Sequence, residues 1–173
     1  MMGQVGRFKS SYIMPLDADC LELPYKDSML SLVILLPREL DGINRLVEDL
    51  DDLHPDDIPP ESDEQRMAVL LPKFKFDFEA ELSDVVNNLG AKSLFRNANM
   101  ESMTDDKRPL RISNIFQKAV FELDDEDAAP ATAEEFNRFL PRAREDIIVN
   151  HPFVFLVKDE SRIYFAGRVI NPQ

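Results

Sequence analysis

The nearly unbroken apolar run from Leu30 to Leu36, closed by Pro37, constrains this chain more than any other stretch. A run of that length without polar alternation suits a strand covered on both faces. The proline has no N–H to continue a central ladder, so it marks the strand end. Two further apolar runs, Phe153 to Val157 and Ile163 to Ile170, flank Lys158-Asp159-Glu160-Ser161-Arg162, which reads as a hairpin loop. The three runs are expected in one antiparallel sheet, with Phe153, Phe155 and Phe165 buried.

The rest of the chain supplies more strands and a few short helices. Leu21, Leu23 and Tyr25 alternate with polar neighbours, as in a half-buried strand, and Pro24 to Ser28 reads as a turn. Ile43, Leu46, Val47 and Leu50 recur at helical spacing. The acidic, proline-rich stretch from Asp51 to Glu64 reads as a surface loop. Met67, Val69 and Leu71 alternate, and the alternation resumes with Phe74, Phe76 and Phe78 beyond Pro72, which suggests a long strand bent at the proline. Leu82, Val85, Val86 and Leu89 form another helical stripe, stopped by Gly90. Ile112 to Leu123 is rich in β-formers. The expected fold class is α+β, mainly antiparallel sheet with two or three short helices. Asp124 to Glu135 contains only Asp, Glu, Ala, Pro and Thr, so it has nothing large to bury. A long stretch of this kind between confident strands is usually functional.

Composition matters mostly for what it excludes. The chain has 173 residues, 44% of them apolar, within the range of one globular domain. Its 33 acidic and 20 basic residues give a net charge of −13, which repels phosphate backbones and anionic lipid. Neither nucleic acid nor a membrane is an expected partner. The longest apolar run, Leu32 to Leu36, is too short to span a bilayer, and Met1 to Gln4 has no charged-then-apolar leader.

Site chemistry is sparse. Cys20 is the only cysteine and reads as a small buried apolar residue. His54 lies in the acidic loop and His151 precedes Pro152; neither has a second His or Cys at ligand spacing, so both read as structural or solvated and no metal is expected. Asp124-Asp125-Glu126-Asp127 lacks the glycine and distal glutamate of a calcium loop and reads as solvated. The five glycines are scattered, so no phosphate loop exists, and no serine sits in a Gly-x-Ser-x-Gly elbow. Neither a cofactor nor an enzyme is expected.

Taken in order, five segments resemble one family. Leu21-Glu22-Leu23-Pro24-Tyr25-Lys26 with Leu30-Ser31-Leu32-Val33-Ile34-Leu35-Leu36-Pro37 is similar to the central sheet-B sequence of serpins. Leu71-Pro72-Lys73-Phe74-Lys75 resembles the serpin strand that crosses from sheet C into sheet A, and Ile115-Phe116-Gln117-Lys118-Ala119-Val120-Phe121-Glu122 the strand leading into the reactive loop. Asn150-His151-Pro152-Phe153-Val154-Phe155 and Phe165-Ala166-Gly167-Arg168-Val169-Ile170-Asn171-Pro172 resemble the closing hairpin of that fold. The resemblance implies a serpin fold in which residues 1–173 are the C-terminal part of a single domain. The first helices, the outer strands of sheet A and part of sheet C have no counterpart in the sequence. A fragment, a truncated product or a chain parted from its N-terminal half is expected, with apolar strands left open to a partner.

The same resemblance places function in an exposed reactive loop, here about 124–149. A serine protease attacks the loop, and the cut loop then joins sheet A as an extra strand and carries the acyl-enzyme away. Insertion needs small, uncharged side chains on the inward face of the hinge. The family carries a glycine, a threonine and then alanines there. The corresponding residues in this sequence are Asp127, Ala128, Ala129, Pro130, Ala131, Thr132, Ala133 and Glu134. Counted without gaps from Ala119, the inward face is Ala128, Pro130, Thr132, Glu134 and Phe136; a shift of two residues still leaves Pro130 inward. The family's spacing back from Asn150 puts the scissile bond at Pro141, with Arg142 next and Arg138 and Arg144 close by as bait for a trypsin-like enzyme. Three readings follow: an inhibitor that traps trypsin-like proteases, a non-inhibitory serpin or protease substrate, which the hinge favours, and an acidic binding module with no protease role. The family points to an extracellular location, with an intracellular one left open.

Overall fold

The computed structural model describes residues 1–52, 58, 62–103, 105, 110–124 and 146–172. They fall into two compact units, one of residues 1–74 with 123–173 and one of residues 75–122.

The apolar run becomes β3 (Ser31–Pro37), in which every residue after Ser31 is buried. It pairs antiparallel with β2 (Ala18–Pro24) on one side and with β8 (Phe153–Lys158) on the other, with Ile34 opposite both Leu21 and Phe155. The hairpin expected around Lys158–Arg162 joins β8 to β9 (Ile163–Val169), the edge of a seven-stranded sheet. Its loop is organised by Asp159, whose Oδ1 accepts the backbone N–H groups of Ser161 and Arg162, both at 2.7 Å, while Tyr164 donates its hydroxyl to Oδ2 at 2.8 Å. These donors, the Ser161 N–H foremost, draw the Asp159 carboxyl down to about 2.

One expectation fails in this sheet. Phe153 and Phe155 are fully buried, but Phe165 is 40% exposed, as are its neighbours Ile163 and Tyr164 to similar degrees. The run Ile163–Ile170 looks covered on both faces, yet β9 is an edge strand, and nothing among the described residues covers its outer side. Where β9 does pack, it packs tightly. Gly167 lies opposite Phe155, and a Cβ at residue 167 would fall 2.6 Å from that ring.

The two faces of the central strands are covered differently. Helix α1 (Ile43–Leu50) lays Ile43 and Leu46 on a cluster of Leu16, Cys20, Val33, Leu35, Val154 and Leu156. Ile58 joins that cluster at 4% exposure, so the Asp51–Glu64 stretch read as surface loop sends the Ile58 side chain into the core. The ring of Phe74 packs against Phe153 and Phe155, with centroids 5.8 and 5.3 Å away.

The longest strand, β1 (Met2–Ile13), has two partners in succession. Met2 to Phe8 pair antiparallel with β4 (Gln65–Leu71), and Lys9 to Ile13 pair with β2. The turn from β1 to β2 is a 3-10 turn, Met14–Leu16, ended by Asp17 with φ 46°. Aspartate tolerates this left-handed conformation better than most residues. The short strand β7 (Asp146–Ile148) runs parallel to β4, with Ile147 opposite Val69. The sheet is therefore mixed at this edge and antiparallel elsewhere, in the order β7-β4-β1-β2-β3-β8-β9.

In the second unit, β5 (Phe74–Glu81) and β6 (Phe116–Leu123) form a two-stranded sheet. The strand expected to bend at Pro72 is thus two strands, β4 and β5, in two sheets. Ile112 to Ile115 lie before β6; the Ile112 N–H donates to the Leu94 carbonyl and the Ile115 N–H to Ser83 Oγ. Lys75–Glu122 and Lys118–Asp77 ion pairs cross between β5 and β6, and Phe76 stacks on Phe121 at 5.6 Å. The helices α2 (Ser83–Asn88) and α3 (Ser93–Arg96) bury no residue. In the helical stripe, Leu82 and Val86 are half-buried, but Val85 is 52% and Leu89 82% exposed.

Candidate functional site

The residues singled out by sequence for the loop lie outside the described residues: the hinge Asp127, Ala128, Ala129, Pro130, Ala131, Thr132, Ala133 and Glu134, and the bait positions Arg138, Pro141, Arg142 and Arg144. So do His54, Asp125 and Glu126. What the structure describes is the frame that holds the two ends of segment 125–145.

The entry is β6. Its first three residues are all exposed, Phe116 at 68%, but from Ala119 the strand alternates, with Val120 54% exposed and Phe121 and Leu123 buried. That alternation is the period-2 pattern of a strand with one covered face. Leu123, the last residue of β6, borders an apolar hollow of about 60 Å³ together with Met2, Leu32, Val69 and Leu71. In the two-stranded sheet, the edge of β6 away from β5 carries no ladder among the described residues.

The exit is β7, held in register by Ala68, Val69 and Leu70 of β4. The Val149 N–H donates to the Leu70 carbonyl at 2.9 Å, and the Val149 side chain is fully buried. Segment 125–145 thus follows Asp124, next to Leu123 at the hollow that Val69 and Leu71 of β4 also line, and precedes Asp146, whose strand pairs with β4. Of the region read as loop, 124–149, residues 146–148 are strand and Val149 is core, while residues 125–145 lie outside the described residues. The β-branched run Ile147-Ile148-Val149 was the available signal for this.

His151 secures the chain after the exit. Its Nε2 lies 2.7 Å from the Pro37 carbonyl and its Nδ1 3.0 Å from Asn150 Oδ1. A carbonyl only accepts, so Nε2 carries a proton and ties the start of β8 to the end of β3. The histidine is structural, as its isolation from other ligand types suggests. Cys20 sits in the α1 cluster and donates its thiol to the Ile58 carbonyl at 3.0 Å; burial pushes that thiol up to about 12. Among the described residues no three His, Cys, Asp or Glu side chains come together as metal ligands, and no helix is long and apolar enough to cross a membrane.

Comparison with known proteins accords with this frame. The family model described as Serpin (serine protease inhibitor) matches residues 1–172. Serine protease inhibitor 42Dd of Drosophila melanogaster is 34% identical over 99% of this chain and 45% of its own length, and leukocyte elastase inhibitor of Bos taurus is 34% identical over 99% and 48%. The chain thus spans a little under half the length of the relatives it matches. Among solved structures, cleaved Serpin 42Da superposes with a TM-score of 0.79 at 28% identity, covering 99% of this chain and 47% of that one. Uncleaved ovalbumin, at 23% identity and a TM-score of 0.72 over 99% and 47%, shares the fold. With its strands, its helices and nearly its whole length accounted for in this way, the chain belongs to the serpin family, of which it carries a C-terminal part.

Proposed function

We propose that this chain is part of a non-inhibitory serpin, which presents the 125–145 segment to trypsin-like serine proteases as a substrate. It acts outside the cell, has no catalytic role of its own and needs no cofactor. The observation that carries this reading is the hinge sequence. On insertion Pro130 would face inward in either register of the hinge, and it has no N–H to give a ladder. Glu134, and in the shifted register Glu126 as well, would carry a carboxylate onto the packed face of a sheet, which costs several kcal/mol unless it is paired or protonated. A hinge that inserts slowly lets the acyl-enzyme hydrolyse, and the protease leaves.

The competing reading, a working inhibitor of trypsin-like enzymes, draws on Arg138, Arg142 and Arg144 near the bait position. Incubation of the intact protein with trypsin separates the two. The proposal expects cleavage between Arg138 and Arg144 with no SDS-stable complex and no lasting loss of trypsin activity. A stoichiometric SDS-stable complex at the size of protein plus protease establishes the inhibitor instead.

A further inference from the structure

Where β1 leaves β4 after Phe8 and joins β2 at Lys9, the sheet opens into a fork. The fork holds an open polar hollow of about 400 Å³ lined by Ser10, Ser11, Tyr12, Asp19, Arg38, Gln65 and Ile147. Ile147 belongs to β7, the exit strand of the loop, so the hollow adjoins the point where the loop returns. Arg142 is five residues before Ile147, and a fully extended chain spans at most about 3.6 Å per residue, so the two lie within about 18 Å of each other. A protease that cuts beside Arg142 covers a patch about 30 Å across on its partner, if its contact is of standard size. The bound of about 18 Å is comparable with the reach of about 15 Å from the cut to the edge of such a patch, so the hollow adjoins the ground the enzyme covers.

The side chains there suit a contact. Tyr12 is 42% exposed and the Arg38 side chain 54% exposed, and both are residue types that dominate binding energies at interfaces. They are also held in place before any partner arrives. The Arg38 guanidinium lies 3.9 Å above the Tyr12 ring, and Tyr12 donates its hydroxyl to Asp17 at 2.7 Å. Arg38 Nη2 is 3.5 Å from Asp19 Oδ1, a loose ion pair that leaves the guanidinium able to take a second carboxylate in a forked contact. Little side-chain entropy remains to be lost on binding.

We propose that this fork is an auxiliary docking site for the attacking serine protease, with the stacked Tyr12–Arg38 pair receiving an acidic side chain of the enzyme. The inference rests on the reading of segment 125–145 as a protease target. It is tested by the kinetics of trypsin cleavage between Arg138 and Arg144, measured on the intact protein, on its Arg38→Ala, Arg38→Glu and Tyr12→Ala variants, and on a free peptide of residues 136–148. Arg38→Ala and Tyr12→Ala are expected to raise KM about tenfold with kcat within twofold, the pattern of lost uniform binding, and Arg38→Glu to raise it further. Arg45→Ala, on the exposed face of α1, leaves both constants unchanged, and the peptide is cut with the KM of the variants. Parental KM in Arg38→Ala and Arg38→Glu, both replacements of an exposed side chain that leave the core untouched, overturns the docking site while leaving the functional reading standing. An intact parent protein that trypsin does not cut between Arg138 and Arg144 overturns the functional reading, and the docking site with it.

Discussion

Cys20 has no partner thiol, lies at the centre of the α1 cluster and donates to the Ile58 carbonyl. Burial is the main reason its thiol is pushed up to about 12. The unfolded thiol ionises near 8.5. Its contribution to stability is therefore complete below about pH 8.5 and is lost as pH rises toward 12, because only the unfolded state releases the proton in that window. Denaturant midpoints measured from pH 8 to 11 should fall more steeply for the parent than for Cys20→Ala; parallel slopes contradict the assignment. Gly167 makes a steric prediction. Gly167→Val places its Cβ inside the Phe155 ring's contact distance, and overpacking of this kind costs about 1–3 kcal/mol, read as a lowered urea midpoint. The sequence showed that Cys20 would be buried, since a lone cysteine among apolar alternation has few other roles. It did not show that Phe165 would be exposed, because an apolar run carries no sign of whether its strand lies at the centre or the edge of a sheet.

At the scale of elements, strands with strong patterns were legible and strands made by context were not. β3 and β8 read directly from their apolar runs. β1 did not, although it is the longest strand: Gly3, Gly6, Ser10 and Ser11 interrupt any alternation, and its extended form comes from β4 and β2, which pair with it in turn. The three-residue β7 was hidden inside the loop region for the same reason, since its parallel partner is far away in sequence. The β8–β9 hairpin was legible, and its loop shows why. Asp159 gathers four donors from Ser161, Arg162 and Tyr164, an Asx-type turn that fixes the hairpin locally. Asp159→Ala should speed amide exchange at Ser161 and Arg162 about tenfold while leaving β3 amides unchanged, because local opening of an edge hairpin is independent of the core. The Asp159 carboxyl is depressed to about 2, so its contribution to this order is complete above about pH 4, the ordinary aspartate value, and is lost as pH falls from there through 2. Equal exchange rates in parent and variant would show that the turn is held by something else.

The whole molecule shows an imbalance between its units. Among the described residues, 1–74 with 123–173 contain nearly all the buried apolar side chains, whereas in 75–122 Phe121 alone is buried and Phe78, Val85, Leu89, Met103, Phe116 and Val120 are exposed. A soluble monomer rarely leaves so much apolar surface open, and such surface marks a place where other chain packs. Expressed by itself, the chain should bind a hydrophobic dye strongly or aggregate; a monodisperse monomer with a cooperative melt and no dye binding would contradict this. The hinge poses the larger question at this scale, since loop insertion is a property of the entire fold. Its family was legible in five ordered segments, but its capacity to insert rests on residues 127–134, where sequence chemistry alone speaks. Placing Pro130 in a central ladder costs about 3 kcal/mol if the helix-interior penalty carries over, and burying Glu134 adds to it. The most direct measurement is the melting temperature of the intact protein before and after the loop is cut between Arg138 and Arg144. The account predicts that it barely moves, and that Pro130→Ala combined with Glu134→Thr partly restores a rise on cleavage. A rise of tens of degrees in the parent protein would mean that the cut loop has inserted as a strand, which contradicts the account.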